Sequence, residues 1–162
     1  MKSNSLYVRD EQGQFAPASG ELVLEAARRH LRSRVRRGTP LSSPRLMRDF
    51  LTVTLGDRDC EYFCLLLLDT RHRLLQFVEL FRGTIDGASV HPREVVKTVL
   101  DARAAAVVVV HNHPSQVAEP STADELITKR LRLALDVIEV RLLDHLIVAG
   151  AEVVSFAEHG LL

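Results

Sequence analysis

His111-Asn112-His113-Pro114-Ser115-Gln116-Val117-Ala118-Glu119-Pro120-Ser121-Thr122-Ala123-Asp124 is the stretch that decides how the chain is read. It follows Ala104 to Val110, a run of small and β-branched residues that reads as a buried strand. If that strand extends to its last histidine, the period of two puts His111 and His113 on one face. Past a loop bounded by Pro114 and Pro120, Ser121 is placed to cap a helix, with Asp124 in the first turn. The helix start then carries a hydroxyl and a carboxylate back toward two imidazoles. Each residue alone has an ordinary role; Asp124, for instance, suits the positive end of a helix. Together, at strand end, loop and helix start, they make a three-ligand set of His111, His113 and Asp124. Zn²⁺ sites with three protein ligands keep the fourth position for water.

Working outward, the remaining pattern alternates strands and helices. On the far side of the loop, the helix opened by Ser121 carries Leu126, Ile127, Leu131, Ala134 and Leu135, and two strands follow, Val140 to Val148 and Glu152 to Phe156, turning at Gly150. Upstream, Pro92 opens a helix with Val95, Val96, Val99 and Leu100 on one face. Glu61 to Leu68 reads as a strand, turned at Asp69 to Arg73 into Leu74 to Phe81; Gly83 to Val90 reads as a loop. Ser43 is placed to cap a helix with Pro44 at its first position, ended by Gly56. The alternation predicts an α/β fold, a mixed sheet with helices on both sides. Residues 1–20 are polar and without period, and read as a flexible segment. Residues 21–40 read as a basic helix and linker, and residues 41–162 as the main domain.

A metal with an open position lowers the pKa of water from ~15.7 to ~7, but amide cleavage also needs a base to move the proton. Spacing leaves Glu61, Glu79, Glu94 and Glu119 open for that role. Glu119 is in a loop that fixes it poorly, Glu79 pairs as easily with Arg73 or Arg82, and Glu94 is an ordinary first-turn acid. Glu61 begins a strand otherwise too apolar to want a charge. Asp144 and His145 are neighbours on a strand, so they face opposite sides unless the strand is irregular. His145 reads as a satisfied core residue rather than a third imidazole ligand, with the further option that one of the pair orients His111 or His113 through a free ring nitrogen.

The stretch resembles the JAMM signature H-x-H-x7-S-x-x-D of JAB/MPN-type zinc metalloproteases. It is closer still to the RadC-like branch, through HNHPS at His111 to Ser115, the Glu119-Pro120-Ser121 and Ala123-Asp124 pairings, and LLDHLIV at Leu142 to Val148. The resemblance runs from about Pro44 to Leu162 and includes Glu61-Tyr62-Phe63, Phe81 to Thr84 and His91 to Val96. It implies the three-layer JAB/MPN (cytidine-deaminase-like) fold. It also implies a Zn²⁺ cofactor on His111, His113 and Asp124, Glu61 as the base, and Ser121 as a donor to the developing oxyanion. The implied activity is hydrolysis of amide or isopeptide bonds in a peptide or conjugate substrate. Gln116 stands where the branch usually carries glycine, so a positive φ there would strain it.

The alternative is a DNA-repair-associated accessory whose zinc site is structural or idle. Its sequence support is the run Arg28, Arg29, Arg32, Arg34, Arg36 and Arg37. Without nearby aromatics for base stacking, a solvated helix face is favoured over nucleic-acid contact. No G-x-G hairpin signature stands before Pro44, so the helix-hairpin-helix region common in that branch is expected to be missing.

Composition narrows the rest. A chain of 162 residues is one ordinary domain, and its zero formal net charge provides no global field toward nucleic acid or membrane. Two cysteines, Cys60 and Cys64, are too few for a disulfide scaffold and read as reduced thiols. With no apolar run of membrane-spanning length and no secretory-type N-terminus, a cytoplasmic and, by the resemblance, bacterial setting is expected. H-x-E with P-C-x-x-C is absent, as is H-E-x-x-H, which argues against nucleobase deaminases and helical zinc proteases.

Overall fold

The computed structural model describes residues 6–9, 12–41, 44–83 and 90–162. Its centre is a pair of strands that must be apolar on both faces. β3 (Tyr62–Leu68) and β5 (Ala106–Asn112) are buried almost throughout. Continuous apolar runs of this kind belong inside a sheet covered on both sides. They pair antiparallel, Phe63 opposite His111 and Leu67 opposite Val107. β4 (Leu74–Arg82) flanks β3 as an edge strand, and its half-polar pattern fits that place. On the other side, β6 (Arg141–Ala149) lies parallel to β5, and β7 (Glu152–Ser155) returns antiparallel to β6. The five-stranded order is therefore β4-β3-β5-β6-β7.

Helices cover both faces, as the alternation predicts. On one face Met47, Phe50, Leu51 and Leu55 of α2 (Pro44–Leu55) pack on Cys64, Leu66, Leu68, Val108 and Val110. On the other, Val95 and Val99 of α3 (Pro92–Asp101) and Leu131 and Leu135 of α4 (Thr122–Asp136) pack on Phe63, Leu65, Leu67, Val107 and Val109. The odd-numbered positions of β3 and β5 thus face α3 and α4, and His111 continues that row. A parallel β5–β6 pair needs a crossover, and α4 supplies it. The same helix brings its first turn to the end of β5.

The elements expected toward the start of the chain differ in detail. Within residues 1–20, read as flexible, Tyr7–Arg9 and Phe15–Pro17 pair as a short two-stranded sheet, β1 and β2, with largely exposed side chains. α1 (Gly20–Arg34) buries none of its residues fully. It leans on α2 through Leu31 and through Arg28, whose Nε donates to the Val53 carbonyl 3.1 Å away. The capping role expected of Ser43, and most of the loop from Gly83 to Val90, lie outside the described residues. Cys60 and Cys64 are free and buried, and burial pushes the Cys64 thiol up to about 12, an inert state. Among the described residues no helix is long and apolar enough to cross a membrane.

One irregularity matters for the site. The β5–β6 register steps from Val107↔Leu142 to Val108↔Asp144, so Leu143 is an extra residue in β6. Such a bulge re-aims the side chains beyond it. Without it Asp144 would share the face of Val109; with it His145 does, beside His111.

Gly56 is where two layers meet most closely. A Cβ there would overlap the Gly150 carbonyl oxygen in the β6–β7 turn and lie 2.6 Å from the Thr52 oxygen. Gly150 in turn lies under the Gln116 side chain of the site loop. Gly56→Ala should therefore destabilise the fold by about 1–3 kcal/mol through overpacking, read as a lowered midpoint in thermal or urea unfolding. An unchanged midpoint would show that the turn yields freely.

Candidate metal centre

The next-to-last residue of β5 is an imidazole that cannot be left unpartnered. His111 is 1% exposed and extends the row of Val107 and Val109 under α4. Asn112 points the other way and is also buried: its Oδ1 accepts from the Tyr62 backbone N at 2.8 Å, and its Nδ2 donates to the Cys60 carbonyl at 3.1 Å. One side-chain amide thus brackets Glu61 in the backbone on both sides. His113 leaves the strand, but its backbone N still bonds the Val148 carbonyl, which keeps its side chain on the side of His111.

The loop turns back through Gln116. Its φ is +60°, the left-handed conformation expected where glycine is usual, and its N bonds the His113 carbonyl at 3.0 Å. Ser121 then caps α4. Its Oγ accepts from Asp124 N at 3.2 Å, and its own N donates to Asp124 Oδ2 at 2.8 Å, a reciprocal capping box. The Ser121 hydroxyl also donates to Asp124 Oδ2 at 2.6 Å, so the cap fixes the carboxylate as well as the helix.

His111, His113 and Asp124 meet as expected, with candidate ligand atoms within 4.8 Å of one another. His111 Nε2 lies 3.1 Å from Asp124 Oδ1 and 2.9 Å from His113 Nε2, and His113 Nε2 lies 3.5 Å from Asp124 Oδ2. The far side of each ring decides what these atoms can be. His113 Nδ1 sits 2.7 Å from the Val117 carbonyl, which can only accept, so Nδ1 carries the proton and the Nε2 lone pair turns inward. On the other ring, His111 Nδ1 lies 2.8 Å from His145 Nε2. An anionic carboxylate and inward-facing imidazole nitrogens without a cation would repel one another. The donor set therefore fits a divalent ion, and in its absence a proton takes that place. The electrostatics agree. The hydrogen bond to Asp124 raises the His113 pKa above its ordinary value, against partial burial, with Val117 and the Glu61 charge adding to the rise. Burial pushes the Asp124 carboxyl up, but the two imidazoles beside it outweigh burial and hold it far below the usual carboxylate range.

The other candidates separate by face. Glu61 immediately precedes β3, two residues before Phe63, which pairs with His111, and its charge acts on His113. Glu79 is paired with Cys64 on the opposite face and bonded to Arg58 at 3.1 Å. Glu94 sits beside Arg93, and Glu119 is exposed in the loop. Asp144 also faces away, bonding Ser155 Oγ at 2.6 Å and the Ala157 N at 3.0 Å. His145, read chiefly as a satisfied core residue, does reach His111. Two participants escaped the sequence reading. Asn112 lay between the ligands with its side chain on the other face, and Thr128 looked like one more residue of α4. The only signal for Thr128 was its place one helical turn after Asp124.

Comparison with known proteins agrees with this geometry. A family model described as the RadC-like JAB domain matches residues 41–161. A UPF0758 protein of Shewanella sp. (strain ANA-3) is 59% identical over 140 residues, 86% of this chain and 62% of its own length. One from Shewanella amazonensis is 60% identical over 136 residues, covering 84% of this chain and 60% of its own. One from Aeromonas hydrophila is 52% identical over 161 residues, 94% of this chain and 72% of its own. The chain thus spans about 60% of the length of the Shewanella relatives, and the names of all three state no activity. By the extent of the family match and the identity to these bacterial relatives, the chain belongs to the RadC-like JAB domain family.

Proposed function

We propose that this protein is a zinc-dependent hydrolase of amide or isopeptide bonds. The observation that carries the reading is the convergence of His111, His113 and Asp124 with their far sides already hydrogen-bonded. These three residues would hold the metal. Zinc bound there would supply Lewis acidity toward a carbonyl oxygen and make hydroxide accessible near neutral pH.

The rest is the work of the chain. Glu61 takes the proton from the attacking water and hands it to the leaving nitrogen, so the C–N bond breaks to a carboxylate and an amine. The action of its charge on His113 and the Asn112 bracket on its backbone support this role. Ser121 is the candidate donor to the tetrahedral oxygen. Its hydroxyl is turned to Asp124, so that donation requires it to rotate away. The substrate is a peptide or conjugate chain.

The second reading, an accessory that contacts nucleic acid, draws on Arg29, Arg32, Arg34, Arg36 and Arg37, all exposed on α1 and the segment after it. Arg28 is spent on the Val53 carbonyl. Binding to duplex or single strands that weakens steeply with salt would favour this reading; absence of binding at low salt would remove it.

Three outcomes test the hydrolase. Glu61→Gln should keep zinc and lose turnover by roughly 10²–10⁴-fold; retained activity on peptide and isopeptide substrates takes Glu61 out of the mechanism. Ser121→Ala should cost about 0.5–2 kcal/mol of stability as a lost cap. If its hydroxyl also serves the oxyanion, kcat should fall by roughly 10²–10³-fold, and a stability loss alone would reduce it to a cap.

The third outcome is pH dependence. In the metal-free protein the His113 pKa is raised above 6.5. Its stabilising contribution is therefore full below 6.5 and is lost as pH rises through the raised value. Zinc must displace that proton, so zinc affinity should climb about tenfold per pH unit across the window and then level off. Asp124, already ionised, adds no slope. Zinc affinity that is flat over the window would contradict the assignment of His113 as a ligand.

A further inference from the structure

We propose that His145 and Thr128 are positioning residues that hold His111 with its proton on Nδ1 and its Nε2 lone pair toward Asp124. The inference rests on the metal-binding reading of the site and assigns two residues to it that are not ligands. Thr128 Oγ lies 2.5 Å from the Asp124 backbone carbonyl and 2.5 Å from His145 Nδ1. Contacts that short each need a hydrogen between the atoms, and the hydroxyl has only one. A carbonyl cannot donate, so the hydroxyl proton goes to Asp124 O, and the second hydrogen must come from His145 Nδ1. His145 Nε2 is then bare. It lies 2.8 Å from His111 Nδ1, which must therefore donate to it. His111 Nε2 is left as a lone pair, 3.1 Å from Asp124 Oδ1.

The chain of bonds leaves Asp124 at the backbone carbonyl, passes Thr128 and His145, and ends at His111, whose lone pair then stands beside the Asp124 carboxylate. Two ligands on different elements are thereby set against each other by groups that never touch the metal. Water cannot substitute for any member. His145 is 1% exposed and lies between Phe156, ring centroids 4.6 Å apart, and Phe63 at 5.9 Å. Thr128 is buried too. An imidazole enclosed in this way by two phenyl rings is held neutral, with a single proton to place. The Leu143 bulge turns His145 to this face, so the strand irregularity has a consequence at the metal centre.

The test uses the whole chain in two readouts. Long-range proton–nitrogen NMR on the metal-free protein assigns which ring nitrogens carry hydrogen. Competition with a chromogenic chelator measures zinc affinity of the wild type, Thr128→Val and Thr128→Ser. Valine keeps the shape of threonine without the hydroxyl, and unfolding midpoints establish that each variant is folded. The expected spectrum has His145 protonated on Nδ1 and bare on Nε2. Thr128→Val should weaken zinc binding by roughly 10–100-fold, with Thr128→Ser recovering most of it. A proton on His145 Nε2, or zinc affinity in folded Thr128→Val equal to wild type, would overturn the proposal. If the wild type takes up no zinc, the hydrolase reading fails, and the ring-proton assignment still decides for or against the chain of bonds.

Discussion

Three lone-pair donors pointed into one space repel one another, and everything around them exists to keep them there. His113 is held from behind by the Val117 carbonyl, His111 by His145, and Asp124 by the Ser121 cap. The buried partner, His145, is the one that cannot be exchanged cheaply. A buried ring nitrogen or carboxylate left unsatisfied costs on the order of 1–3 kcal/mol or more. A cation in the middle turns the repulsion into attraction, which is why the arrangement reads as a metal centre rather than a charged cluster.

The sheet and helices are fitted to that demand. β5 is covered on both faces until its last residues, so it delivers His111 into a dry layer and Asn112 to the other side of the sheet. The α4 crossover, obligatory for a parallel β5–β6 pair, starts where Asp124 must be. Gly56, Gly150 and Gln116 stack one layer on the next beneath the site loop. The left-handed backbone at Gln116 thus sits where its side chain lies over the neighbouring turn. Function and packing share the same few residues.

How much of this was legible in the sequence depends on where regular periodicity ends. His111, His113, Ser121 and Asp124 could be read because a strand period of two and a helix cap are local rules. The left-handed φ at Gln116 was anticipated as the condition under which glutamine would be strained. The buried face of His145 was not legible, since it depends on a single extra residue, Leu143, that leaves no mark in the apolar pattern. Thr128 and Asn112 were hidden for a related reason: their partners lie on other elements, at separations of 17 residues for Thr128 and 52 for the Cys60 carbonyl. The choice of Glu61 over Glu79 needed the resemblance; the structure adds that Glu79 lies opposite Cys64 and is bonded to Arg58. At the start of the chain, polar composition in residues 1–20 concealed the short β1–β2 pairing.

The most direct measurement is diffraction from zinc-loaded crystals at the zinc absorption edge. The expected result is one anomalous peak bonded by His111 Nε2, His113 Nε2 and an Asp124 oxygen, at Zn–N and Zn–O distances of about 2.0–2.2 Å. An empty centre, or a zinc bound elsewhere with the three side chains turned apart, would contradict the metal centre and the chemistry built on it.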